Sequence, residues 1–224
     1  MKEQEDMRPN TYSNYEQKLL FYLILDIVLA FAVIVTGSIL FMRWYHEKNR
    51  PVLAEIKAPD WYTQDFLNVN PYSRPGTRRT QVNSIVVHYV ANPGTSARQN
   101  WSYFNNLADQ TGPDAVSASS HYIIGIDGEI LQGIPLDEVA YANYPRNDDT
   151  VSIECCHPDD TGEFSEETMK SLVRLTAWLC GELHLDEKDV IRHYDVIGKN
   201  CPKYYVENES EWKEFKKAVK KALK

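Results

Sequence analysis

The chain has no excess of positive charge, no low-complexity tract and no CxxC pair, and each absence removes a class of function. Twenty-four lysines and arginines against 32 aspartates and glutamates leave a formal net charge of -8. A nucleic-acid partner normally demands the opposite balance on the folded part, so no nucleic acid is expected. The cysteines, four in number at 155, 156, 180 and 201, lack zinc-finger spacing. Nor does an Ala-x-Ala cleavage signal directly follow the one long apolar run, or a strongly basic leader precede it, which argues against a removed signal peptide.

What is present suits one compact domain and one short extra segment within 224 residues, 43% of them hydrophobic and 25% charged. Residues 19–42, LLFYLILDIVLAFAVIVTGSILFM, contain Asp26 as their only formal charge. A helix of that length covers about 36 Å, enough to cross a hydrocarbon core. Asp26 lies near its start, toward the interface, and Trp44 and Tyr45 follow where an aromatic belt belongs. The expected division is a cytoplasmic tail over 1–18, a membrane helix over 19–42, a stalk and extended arm over 43–80 and a catalytic domain over 81–224. Charge leans against that orientation: Lys2, Arg8 and Lys18 precede the helix, whereas Arg43, Lys48, Arg50 and Lys57 follow it.

Pro51, Pro59, Pro71 and Pro75 mark the arm, in which WYTQDFL from Trp61 suits a short helix. SIVVHYV, from Ser84 to Val90, reads as a central strand buried on both faces. Ser96, with Gln99 three residues on, caps a helix from Ala97 to about Leu107. Asp127-Gly128 joins two apolar arms into a hairpin. TVSIECC is a further strand, and Ser165 caps a helix closing at Gly181. VIRHY is strand-like, and a last amphipathic helix from Glu211 carries six lysines in the final 14 residues. Either those lysines are a solvated face or they meet an anionic lipid or polymer. This order of elements predicts an α/β fold, a mixed central β-sheet flanked by helices.

Adjacent Cys155 and Cys156 point to opposite faces of a strand, so at most one is expected in the core. Two readings stand for the remainder: a bridge between Cys156 and Cys180, or Cys155, Cys156 and Cys180 as buried small hydrophobes. The candidates for chemistry are His88, His121, His193 and Cys201. Imidazole and thiolate suit zinc, and a catalytic zinc takes three protein ligands and leaves the fourth place to water. The residue types leave open whether Cys201 or His121 completes the set. His157 and His184 are expected at the surface, and His46 at the membrane flank.

HYDVIGKNCP, His193 to Pro202, resembles the closing motif of the type 2 N-acetylmuramoyl-L-alanine amidases, relatives of the peptidoglycan recognition proteins and of lysozyme-like phage amidases. SIVVHYV, SSHYII with its hairpin, and VSIECC resemble further motifs of that family, in the same order. The resemblance, over residues 82 to about 205, implies Zn2+ held by His88, His193 and Cys201, with His121 in a structural place. It implies Glu154 as the acid/base and Lys199 as the group facing the developing oxyanion. The relatives' tyrosine before the hairpin histidine is absent, since Ser120 stands there, which throws more weight onto Glu154. Many relatives carry a histidine in the segment that here reads Ala140 to Asn143, so contacts with substrate on that rim are expected to differ.

The implied function is hydrolysis of the amide between N-acetylmuramic acid and L-alanine in peptidoglycan. The implied setting is a single-pass cell-membrane protein with a monomeric soluble domain outside, an orientation that the chemistry requires against the slight charge bias. Competing readings are a peptidoglycan-binding module without catalysis, a membrane-tethered wall scaffold, and a cytoplasmic zinc hydrolase.

Overall fold

The structure, a computed structural model, describes residues 11–223 and divides into two units, residues 1–49 and 50–224. In the first, helix α1 (Thr11–Lys48) extends beyond both ends of the apolar run. Its stretch Tyr15–Met42 is long and apolar enough to cross a membrane. The Thr36 and Ser38 hydroxyls donate back to the carbonyls of Ala32 and Ile34, each at 2.8 Å, so these polar groups are satisfied within the helix.

The second unit is built on six strands: β1 (Thr63–Gln64), β2 (Ser84–Tyr89), β3 (Tyr122–Ile124), β4 (Ile130–Gln132), β5 (Thr150–Cys155) and β6 (Val190–Arg192). Their order across the sheet is β1-β4-β3-β5-β2-β6, with only the β3–β4 hairpin antiparallel. Gly128 sits in the hairpin turn at φ 84°, and a side chain there would meet the Glu167 carbonyl and the Ser171 hydroxyl at 3.0 Å. Glycine is needed twice over, for the left-handed backbone and for the close approach.

Helix α2 (Ala97–Asn106) carries the Ser96–Gln99 capping box. Helix α3 (Glu166–Leu183) begins with the Ser165 hydroxyl accepting from the Thr168 amide at 3.0 Å. It runs through Gly181, the expected stop, and ends at His184 in the left-handed conformation, φ 56°. Continuing to Leu183 buries that side chain, and the Leu185 amide closes the end on the Cys180 carbonyl at 2.9 Å. Short helices α4 (His193–Ile197) and α5 (Lys203–Glu207) lead to α6 (Glu209–Ala222), whose Trp212, Phe215 and Val219 face inward.

The sheet's faces differ because residues alternate along each strand. One face, with Ile85, Val87, Tyr122, Ile124, Val151, Ile153 and Cys155, packs against α3 and α6 in the larger apolar core. Each fully buried aliphatic chain there, such as Leu175, contributes about 1.5–3 kcal/mol relative to exposure. The opposite face pairs a smaller core of Ile123, Leu131 and Phe104 with a buried polar row: Ser84, His88, Thr150 and Ser152. Both faces are covered, and this corrects the expectation for the cysteines. Cys155 lies in the larger core and Cys156 in the smaller one. Cys180 belongs to the larger core, across the sheet from Cys156, and all four thiols are free, which removes the bridge. Cys155, Cys156 and Cys180 are the buried small hydrophobes of the second reading.

The arm is part of the unit. WYTQDFL forms no helix: Thr63 and Gln64 extend the sheet edge beside β4, with Thr63 paired to Leu131. Trp61 and Tyr62 pack against Trp178 at 6.1 and 5.6 Å, and Leu67 is buried. An open sheet edge and an aromatic cluster outweigh the weak local helical tendency of this stretch.

Candidate metal centre

Three parallel neighbours build the site. His88 is the penultimate residue of β2, and Glu154 stands opposite it in register on β5. On the other side of β2 lies β6, and His193, expected at a strand end, is instead the first residue of α4 directly after it. That turn is held by Asp195, whose carboxylate accepts from the Arg192 amide at 2.8 Å and from its guanidinium. Gly198, at φ 75°, then reverses the chain, and the Tyr194 amide donates to the Cys201 carbonyl at 2.9 Å. The seven residues between His193 and Cys201 are thus a helical turn and a return, which brings the thiol back over the imidazole.

His88, His193 and Cys201 are all buried, and their ligand atoms lie within 4.8 Å of one another. The imidazole rings of His88 and His193 are 4.5 Å apart between centres. Cys201 Sγ is 3.7 Å from His88 Nδ1. Tetrahedral zinc places sulfur and nitrogen ligands about 3.6 Å apart, given its ordinary bond lengths. Two further atoms in the site, His193 Nδ1 and Glu154 Oε2, are buried without a hydrogen-bond partner. A His88 nitrogen facing the Cys201 thiol, a second imidazole nitrogen without a partner on His193 and a carboxylate on Glu154 fit a divalent cation by donor chemistry as well as spacing. The cluster can hold a metal ion.

The electrostatics agree. Burial, the neighbouring His193 and the Lys199 charge push His88 down to about 3, so it is a neutral donor at ordinary pH. Burial and Lys199 lower His193 to about 4. Burial raises Glu154 to about 8, against the pull of Lys199, and raises the Cys201 thiol to about 12. Burial thus keeps both acids protonated near neutral pH, and a bound cation would lower their values by direct attraction. Glu154 Oε1 lies 4.0 Å from His88 Nδ1, with the side chain 16% exposed. Lys199 is exposed on the return between α4 and Cys201.

The remaining candidates lie elsewhere. His121 is buried outside the cluster, its Nδ1 accepting from the Ser152 amide at 3.1 Å and its Nε2 facing the Glu138 carbonyl at 3.1 Å. Ser120 turns its hydroxyl to the Tyr122 carbonyl at 2.9 Å. His184 is exposed as expected, but His157 is not: it is 1% exposed, its ring lies 5.2 Å from that of Tyr89, and Nδ1 faces the Asp159 carbonyl at 2.7 Å. The chain just past β5 folds back over the end of β2, with the Gly94 amide on the His157 carbonyl at 2.9 Å. Asn143, expected on the substrate rim, is 1% exposed and lies behind His88, with Oδ1 2.6 Å from Nε2. No local pattern marks Asn143, which sits in an irregular loop. Glu154 did leave a signal, since Thr150, Ser152 and Glu154 alternate with Val151, Ile153 and Cys155.

The model of the family described as N-acetylmuramoyl-L-alanine amidase matches residues 78–204. N-acetylmuramoyl-L-alanine amidase CwlL of Bacillus licheniformis is 34% identical over 172 residues, covering 71% of this chain and 47% of its own. N-acetylmuramoyl-L-alanine amidase BlyA of Bacillus subtilis (strain 168) is 33% identical over 180 residues, with the same coverage. The chain therefore spans about half the length of these relatives. Among solved structures, a mutant endolysin from Bacillus subtilis superposes with a TM-score of 0.59 and 27% identity, covering 70% of this chain and 97% of that one. The catalytic domain of XlyA gives 0.57 and 26%, covering 70% and 98%. The matched region contains the whole sheet but for its β1 edge, together with all three residues of the metal cluster, and so the chain belongs to the N-acetylmuramoyl-L-alanine amidase family.

Proposed function

We propose that the protein is a zinc-dependent N-acetylmuramoyl-L-alanine amidase that cleaves the bond between the lactyl carbonyl of N-acetylmuramic acid and the L-alanine nitrogen of peptidoglycan. The observation that carries this reading is the juxtaposition of the His88, His193 and Cys201 cluster with the Glu154 carboxylate. Zinc held by those three residues would supply Lewis acidity toward water and the substrate carbonyl.

Glu154, ionised once a cation lowers its value, takes the proton of the attacking water as the new C–O bond forms. It then returns that proton to the alanine nitrogen as the C–N bond breaks, leaving a glycan strand and a free stem peptide. Lys199 offers its ammonium to the carbonyl oxygen as negative charge develops there. His121 takes no part in this scheme, being held by Ser152 and Glu138.

In this reading α1 crosses the cell membrane once, residues 1–18 are cytoplasmic, and the second unit works outside as a monomer on the wall. The apolar stretch Tyr15–Met42 and the family support it. The test incubates the protein with purified peptidoglycan and follows metal content and new ends together. One zinc per chain, new L-alanine amino termini and no new reducing sugar ends are expected. Bound zinc or wall binding without those termini would replace the reading by a binding module. Protease added outside intact cells should remove the second unit; its protection would overturn the orientation.

A further inference from the structure

The metal cluster leaves one buried arrangement unexplained, the row of polar groups behind His88. The Thr150 hydroxyl lies 2.6 Å from the Arg146 carbonyl, which can only accept, so Thr150 donates its single hydrogen there. Its lone pair therefore receives the Asn143 Nδ2 hydrogen at 2.8 Å. That bond turns Asn143 Oδ1, an acceptor, toward His88 Nε2 at 2.6 Å. Nε2 must then carry the imidazole hydrogen, and the bare lone pair is left on Nδ1, which faces Cys201 Sγ at 3.7 Å. The opposite amide orientation would set the Asn143 oxygen against the Thr150 oxygen and force the hydroxyl off Arg146. Asn143 itself is held at its backbone, where its amide donates to Asn147 Oδ1 at 2.7 Å.

We infer that Asn143 is the positioning residue for His88: through a one-way hydrogen-bond relay from Arg146 and Thr150, it selects the Nε2–H tautomer and thereby the nitrogen offered to a metal. An incidental packing contact would need no fixed direction. This one has its direction set three groups away, by a backbone carbonyl. Partners of this kind usually change metal affinity by about 10–100-fold when lost. The part of the inference that concerns metal rests on the proposed zinc site; the tautomer does not.

The test uses the metal-free full chain in detergent micelles, labelled with 15N at histidine and observed near neutral pH. His88, identified by the signal missing in His88→Gln, should appear as the Nε2–H tautomer. Asn143→Ala should convert it to a mixture with Nδ1–H, whereas Asn143→Asp, which keeps the acceptor, should retain it. Thr150→Val removes only the source of direction and should also mix the tautomers, which carries the test if Asn143→Ala does not fold. Zinc competition against a chelator should then show affinity about 10–100-fold weaker for Asn143→Ala and near the parent for Asn143→Asp. A parent in the Nδ1–H form, or an Nε2–H form untouched by both Asn143→Ala and Thr150→Val, overturns the inference. Tautomer shifts as expected in a protein that takes up no zinc would uphold Asn143 and reject the zinc reading instead.

Discussion

His88 and Glu154 face each other in register on neighbouring parallel strands, with Nδ1 of one 4.0 Å from Oε1 of the other. A candidate metal ligand and a carboxylate are thereby fixed by backbone hydrogen bonding rather than by a loop. Rigid placement of this kind is what proton transfer at a stated atom requires.

Replacing Glu154 by Gln keeps the shape of the side chain and removes the proposed base. Zinc content should stay at the parent value while release of L-alanine termini falls about 10²–10⁴-fold. Parent-like turnover in this variant would take Glu154 out of the reaction.

The same carboxyl makes the metal-free protein sensitive to pH. Its folded-state value of about 8 lies above the ordinary 4.5, so between those values the folded chain holds a proton that the unfolded chain has lost. Stability attributable to Glu154 is therefore complete below the lower value, declines as pH rises through the window and levels off above it. The total is on the order of a few kcal/mol. Urea melts of the zinc-free parent and of Glu154→Gln should converge at low pH and separate toward pH 8, with the variant more stable; parallel curves would contradict the burial of this charge.

Zinc should stabilise the fold by mass action. Free zinc at about a thousand times its dissociation constant contributes about 4 kcal/mol, or roughly a 10 °C rise in melting temperature for a chain of this size. Cys201→Ser removes the thiolate and should abolish most of that rise in calorimetry. An equal rise in this variant would place the bound metal elsewhere.

Leu67 tests whether the arm belongs to the folded unit. It is 1% exposed, in the smaller core with Ile123 and Leu131. Leu67→Ala should cost about 2–5 kcal/mol in chemical denaturation. A loss below about half a kcal/mol would mean that the arm merely rests on the domain.

Much of this protein was determined by short-range patterns that the sequence carries alone. The apolar run in α1, the Ser96–Gln99 box, the Asp127-Gly128 turn and the alternation from Thr150 to Cys155 each depend on neighbours within a few positions. The residue types alone left Cys201 and His121 as alternatives, and only the resemblance to the amidase family implied the set His88, His193 and Cys201. Only the tertiary structure decided what separate segments do to one another. It buried both Cys155 and Cys156, because helices cover both faces of the sheet, and it drew Trp61 to Leu67 onto a sheet edge. It also set Asn143 against His88, and His88 against a thiol 113 residues away. Such contacts arise from strand register and loop closure, which join residues whose local sequences hold no trace of each other.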